Sequence, residues 1–111
     1  MPKLSKEKWR RIIGLNGRYE VSNIGRVRGL YKSGAGRHLL RSEPRIMALS
    51  KGTGGYVRFR INGKCFLVHR LVCEAFHGPC PMGHQSAHIN GCSSDNREEN
   101  LMWATPVINM S

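Results

Sequence analysis

Asn16-Gly17, Asn62-Gly63 and Asn90-Gly91, with thirteen glycines in 111 residues, cut this chain into short pieces. Asparagine and glycine are the residues that reach left-handed backbone angles most cheaply, so each pair marks a place where the chain turns sharply. Few segments between such marks are long enough for a helix. The chain is therefore expected to fold as short strands and tight turns with little helix, and with a limited core for its size.

From Trp9 to about Arg28, short apolar stretches alternate with Asn16-Gly17, Asn23 and Gly25, which suits small strands better than a helix. Ser33 to Pro44 is rich in Gly, Ser and basic residues and reads as a loop. Tyr56 to Val68 reads as a β-hairpin: Val57, Phe59 and Ile61 alternate with Tyr56, Arg58 and Arg60, and Asn62-Gly63 supplies the turn. His69 to Phe76 reads as a short helix. Leu71, Val72, Ala75 and Phe76 share one face with Val68, and Gly78-Pro79 ends the helix. A strand at Ser86 to Ile89, a polar turn at Asn96 to Asn100 and a strand at Leu101 to Ala104 follow. Thr105-Pro106 then pairs an N-cap with a first-turn proline, opening a helix barely more than one turn long before Ser111. The whole is an α+β chain: a β-rich segment over residues 6–50, then a hairpin, a helix and a strand-loop-strand-helix unit over residues 51–111.

The net charge is +11, from 18 basic and 7 acidic residues. That excess favours a polyanionic partner through steering and counterion release. No apolar run approaches the roughly 20 residues of a membrane span, and the N-terminus lacks the apolar core of a signal peptide. The expected setting is intracellular, away from membranes, with Cys65, Cys73, Cys80 and Cys92 as reduced thiols. Aromatic residues are too few and scattered for an RNA-stacking platform. Cys80, His84, His88 and Cys92 stand at four-residue intervals and offer a zinc-type donor set. Pro81, Gly83 and Gly91 interrupt that segment, so the even spacing does not put the four on one helical face.

The order of residues in the last quarter carries the chemistry. His88 lies on a short apolar segment before Asn90-Gly91, Asn100 follows it by twelve positions, and Asn109 follows that by nine. This pattern, Ser86-Ala87-His88-Ile89-Asn90-Gly91 through Asn96-Arg97-Glu98-Glu99-Asn100-Leu101 to Trp103-Ala104-Thr105-Pro106, resembles the HNH nuclease motif and its ββα-metal layout. Val68-His69-Arg70-Leu71-Val72 to Phe76 resembles the segment upstream of that motif in phage and homing-type enzymes. Tyr19-Glu20-Val21-Ser22-Asn23 with Gly25-Arg26-Val27-Arg28 is similar to the nuclease-associated (NUMOD-like) module that precedes such domains.

The resemblance implies a DNA endonuclease that hydrolyses phosphodiester bonds, nicking double-stranded DNA as a monomer or weak dimer. A phage or bacterial cytoplasmic origin goes with it. It implies His88 as the general base, since a neutral imidazole with a pKa of about 6.5 can take a proton from water near neutrality. It implies that Asn100 orients the loop and the histidine, and that Asn109 ligates a divalent ion, Mg²⁺ or Mn²⁺. Asn96 and Asn100 also read simply as turn-forming residues, and His69 as a packing or hydrogen-bonding residue. Arg26, Arg28, Arg58, Arg60 and Arg70 are expected to grip phosphates, with Tyr56 beside the hairpin arginines. One departure bears on the metal: many relatives carry aspartate or another ligand immediately before the histidine, and here that residue is Ala87. Asp95 could substitute, although Asp95, Glu98 and Glu99 read as exposed turn charges. Otherwise the chain is a catalytically weak or inactive DNA-binding protein derived from such a nuclease.

Overall fold

The computed structural model describes residues 6–34 and 37–106, with no side chains from 33 to 38. The expected helix beyond its first residue, Pro106, and the expected ligand Asn109 lie outside those residues.

Among the described residues the fold has three small antiparallel sheets and one α-helix. The first sheet has the order β1 (Trp9–Arg11), β2 (Tyr19–Ser22), β3 (Val27–Gly34), β4 (Arg37–Ile46). The segment expected to be a loop is thus largely strand. Its backbone groups pair with β3, from Gly34↔Arg37 to Tyr31↔Leu40 and again at Gly29↔Arg45 and Arg28↔Ile46. Leu30 faces the unpaired stretch from Arg41 to Pro44, where the register shifts. A proline fits there because β4 is an edge strand and nothing beyond it needs the missing N–H.

The second sheet joins β5 (Ser50–Lys51), β6 (Val57–Ile61) and β7 (Lys64–Leu67). At the β6–β7 turn Asn62 has φ 50° and Gly63 φ 74°, the two positive angles a two-residue hairpin turn demands. Helix α1 (Val68–His77) starts directly from β7, buries Val68, His69, Leu71, Val72 and Cys73, and ends at Gly78 in a positive-φ conformation. The third sheet is the pair β8 (Gln85–His88) and β9 (Leu101–Ala104).

One core joins these pieces. Ile12, Val21 and Val27 from the first sheet meet Phe59 from the hairpin, Val68 and Val72 from α1, and Leu101 from β9. Phe59 is fully buried, with Tyr19 edge-on at 5.3 Å and Phe66 stacked at 6.3 Å. Both expected segments, 6–50 and 51–111, contribute to it. Helix α1 carries the load of a chain whose strands are short: it touches all three sheets.

Candidate active site

His88 ends β8, just before the chain turns at Asn90-Gly91. Register pairs it with Leu101, and the Ile89 N–H donates to the Asn100 carbonyl at 2.8 Å, closing the strand pair around the loop. The imidazole Nε2 lies 2.8 Å from Asn96 Oδ1. An amide oxygen can only accept, so this contact selects the tautomer protonated at Nε2 and leaves the lone pair on Nδ1. Asn96 is buried, so the clamp is held rather than merely touched. The sequence reading gives the task of orienting the histidine to Asn100; among the described residues the side chain hydrogen-bonded to the ring is that of Asn96.

Asn100 instead ties the loop. Its Nδ2 donates to Asn90 Oδ1 and to the Asp95 carbonyl, both at 2.9 Å, and its Oδ1 accepts from the Asn90 N–H at 3.1 Å. Asp95 is half-buried rather than an exposed charge. It accepts two bonds from the Arg97 guanidinium at 2.8 and 2.9 Å and one from Asn90 Nδ2 at 2.9 Å. The Arg97 charge and these bonds hold its carboxyl down at about 2. Glu99 is exposed, bonded to the same arginine, and Glu98 is half-buried.

Two aromatic rings back His88. His69, from the first turn of α1, sits 4.9 Å away between ring centroids, and Tyr56 lies 6.0 Å from His88 and 5.3 Å from His69. His69 is 7 % exposed, and its Nδ1 is buried without a partner. Burial first, then coulombic repulsion from His88 and Arg70, lowers its pKa from 6.5 to about 4. It is a neutral imidazole at physiological pH. The sequence reads His69 as a packing or hydrogen-bonding residue, and nothing in its local sequence places its ring against His88. The pairing comes from α1 packing on β8, where the Ser86 hydroxyl also donates to the His69 carbonyl at 3.2 Å.

A cavity of about 330 Å³ opens beside these rings, lined by Tyr56, Arg58, His69, Arg70 and Ser86. Arg58 and Arg70 thus reach the site. Arg58 Nε is buried without a partner, while Arg70 also pairs with Glu74 at 3.0 Å. Arg60 is exposed on the same strand as Arg58, and neither forms an ion pair among the described residues. Arg26 and Arg28 differ. Arg26 bonds Glu7 and Arg28 bonds Glu20 at 2.7 Å, and both guanidinium groups stand over the Trp9 ring, at 5.7 and 4.2 Å.

The donor set offers little to a metal ion. Ala87 is buried and brings no ligating atom, and Asp95 is committed to Arg97. Among the described residues no three His, Cys, Asp or Glu side chains converge, which also separates Cys80, His84, His88 and Cys92. The described residues alone therefore do not make a metal centre. What they do make is a hydrogen-bonded imidazole near a basic cavity.

Two family profiles cover this architecture. The one described as HNH endonuclease matches residues 66–111, and the one described as NUMOD4 motif matches residues 7–62. The chain belongs to the HNH endonucleases of the phage homing type, with a NUMOD4 segment ahead of the HNH unit. It is 34% identical over 106 residues to the DNA endonuclease I-HmuI of Bacillus phage SP01, covering 92% of this chain and 55% of that protein. The solved structure titled for DNA binding and cleavage by the HNH homing endonuclease I-HmuI superimposes with a TM-score of 0.68 at 32% identity, over 93% of this chain and 55% of that one. This chain spans about half the length of the relative it matches.

Proposed function

We propose that this chain is a DNA endonuclease that hydrolyses phosphodiester bonds of double-stranded DNA, with His88 Nδ1 as the general base. The supporting observation is the 2.8 Å contact between His88 Nε2 and the buried Asn96 amide oxygen, which fixes both the tautomer and the ring plane. In the reaction, Nδ1 takes a proton from water as the water oxygen bonds to phosphorus. The bond to the 3′ oxygen breaks, and that oxygen leaves with the electron pair and is then protonated. Arg58 and Arg70 in the cavity beside His69, with Arg60 on the adjoining face, bind phosphate oxygens. Asn100 keeps the loop closed so that Asn96 stays in place. A divalent ion, Mg²⁺ or Mn²⁺, is the proposed cofactor and Asn109 its proposed protein ligand. One site per chain gives one nick per encounter, and the chain acts as a monomer or weak dimer. A second reading, a DNA-binding protein that has lost cleavage, is favoured by Ala87 alone.

Nicking of supercoiled plasmid by the wild type and His88→Ala, in Mg²⁺, in Mn²⁺ and in EDTA, decides between them. The expected result is ion-dependent nicking that falls by roughly 100-fold or more in the variant, the usual worth of a general base. If both proteins bind plasmid and neither nicks it with either ion, the second reading replaces the first.

A further inference from the structure

The turn between β2 and β3 reaches from the first sheet onto the residue that holds the catalytic histidine. Ser22 shapes this turn: its Oγ accepts from the backbone N–H groups of Ile24 and Arg26 at 3.3 and 3.1 Å, and its carbonyl accepts from Gly25 at 3.0 Å. Asn23 fastens the turn on both sides. Its Oδ1 accepts from the Lys8 N–H at 2.7 Å, and its carbonyl accepts from the Glu98 N–H, also at 2.7 Å. Between these bonds Gly25, with φ +92°, lies flat against Asn96. A β-carbon at Gly25 would stand 2.8 Å from Asn96 Cβ and 3.3 Å from its carbonyl oxygen. Ser22, Asn23, Gly25 and Asn96 are all buried.

We propose that this turn is a positioning element of the active site: Gly25 seats directly on Asn96, and so fixes the amide that holds His88 Nε2. The NUMOD4 segment is then part of the catalytic architecture as well as a DNA-facing surface. Only glycine meets both demands of the position, since any side chain is strained at that φ and would displace Asn96. The proposal rests on the endonuclease reading for its consequence in catalysis, but its structural part stands apart from activity.

The test is a double-mutant cycle with Gly25→Ala and Asn96→Ala, read two ways. By ¹⁵N NMR of the imidazole, the wild type should show His88 in one neutral tautomer, protonated at Nε2, and Gly25→Ala should show a mixture. In single-turnover nicking, Gly25→Ala should slow the reaction by roughly 10- to 100-fold, the scale of a small misplacement of a reacting group. Plasmid Kd should stay within about two-fold, because no phosphate-binding group is touched. Adding Gly25→Ala to Asn96→Ala should cost nothing more, because the two act through one contact. Ser22→Ala loosens the turn without inserting an atom and should show the same non-additivity, which serves if Gly25→Ala does not fold. An unchanged His88 spectrum in the turn variants, or rate losses that multiply in the double variant, overturns the proposal. A wild type that shows the tautomer shift on mutation but nicks nothing sinks the endonuclease reading and leaves the positioning contact standing.

Discussion

The imidazoles of His69 and His88 lie 4.9 Å apart between centroids, tilted by 43°, and the proposed reaction asks different things of them. A base must accept a proton and become cationic, and a cationic neighbour at that distance would oppose it. His69 avoids this by burial, which keeps it neutral down to about pH 4. The same burial has a thermodynamic consequence. In the unfolded chain the imidazole takes its proton near pH 6.5; in the folded protein it does not until about 4. Between those values the unfolded state binds the extra proton, so stability falls as pH is lowered through that window, is at full value above it and levels off below. The loss should be of order 3 kcal/mol by pH 4, at about 1.4 kcal/mol for each pH unit. Asp95 does not confuse the measurement: its carboxyl is lowered from 3.8 to about 2, so its contribution is intact above pH 3.8 and lost only as pH falls toward 2. Urea unfolding at pH 7 and at pH 4.5 should show the drop, and His69→Gln, which cannot titrate, should remove most of it. A wild type whose midpoint is the same at both pH values would show that His69 is protonated in the folded state.

Strand and turn formation here depends on how much of each element is written locally. The β6–β7 hairpin is written almost entirely in Val57, Phe59, Ile61 and the Asn62-Gly63 pair, and the structure forms it with both turn residues at positive φ. A β-carbon at Gly63 would meet nothing within 4 Å, so Gly63→Ala carries only the conformational strain of a left-handed alanine, roughly 1 kcal/mol. A denaturant midpoint unchanged or raised by that substitution would mean the turn is not held in this geometry. The amphipathic helix was equally plain, because Val68, Leu71 and Val72 repeat at helical spacing. The β3–β4 hairpin was not. Ser33 to Pro44 carries no alternation and several turn-forming residues, and it becomes strand because β3 offers a ladder of backbone partners, an attraction that composition does not record. The site divides the same way. His88 was visible from its place before Asn90-Gly91. The choice between Asn96 and Asn100 as its partner was not, because it depends on how the loop closes in space. The contact of Gly25 with Asn96 joins the connections of two different sheets, and no local signal could announce it.

Charge ties the parts to the proposed DNA partner, and the structure sorts that charge more finely than the net +11 does. An arginine that already shares its proton-rich face with a carboxylate releases few counterions when DNA arrives, whereas one with no carboxylate beside it neutralises a phosphate outright. Arg28 belongs to the first kind, bonded to Glu20 and stacked 4.2 Å over Trp9, and Arg26 with Glu7 is its neighbour over the same ring. Arg58, which lines the cavity with His69, and Arg60, exposed on the same strand β6, belong to the second kind among the described residues. The expectation that the arginines grip phosphates alike therefore separates these four into two groups. In plasmid binding measured over a range of salt, Arg58→Ala and Arg60→Ala should each reduce the steepness of log Kobs against log salt by about one. Arg28→Ala should weaken binding, because it exposes the Glu20 carboxylate toward the DNA, yet leave that steepness nearly unchanged. A full unit of slope lost in Arg28→Ala would mean that DNA pulls the guanidinium away from Glu20, and that the first sheet rearranges its ion pairs on binding. Equal slopes for Arg58→Ala, Arg60→Ala and the wild type would place the phosphate track away from β6. The basic cavity beside His69 would then lie off the path of the DNA, and with it the route by which a scissile phosphate reaches His88.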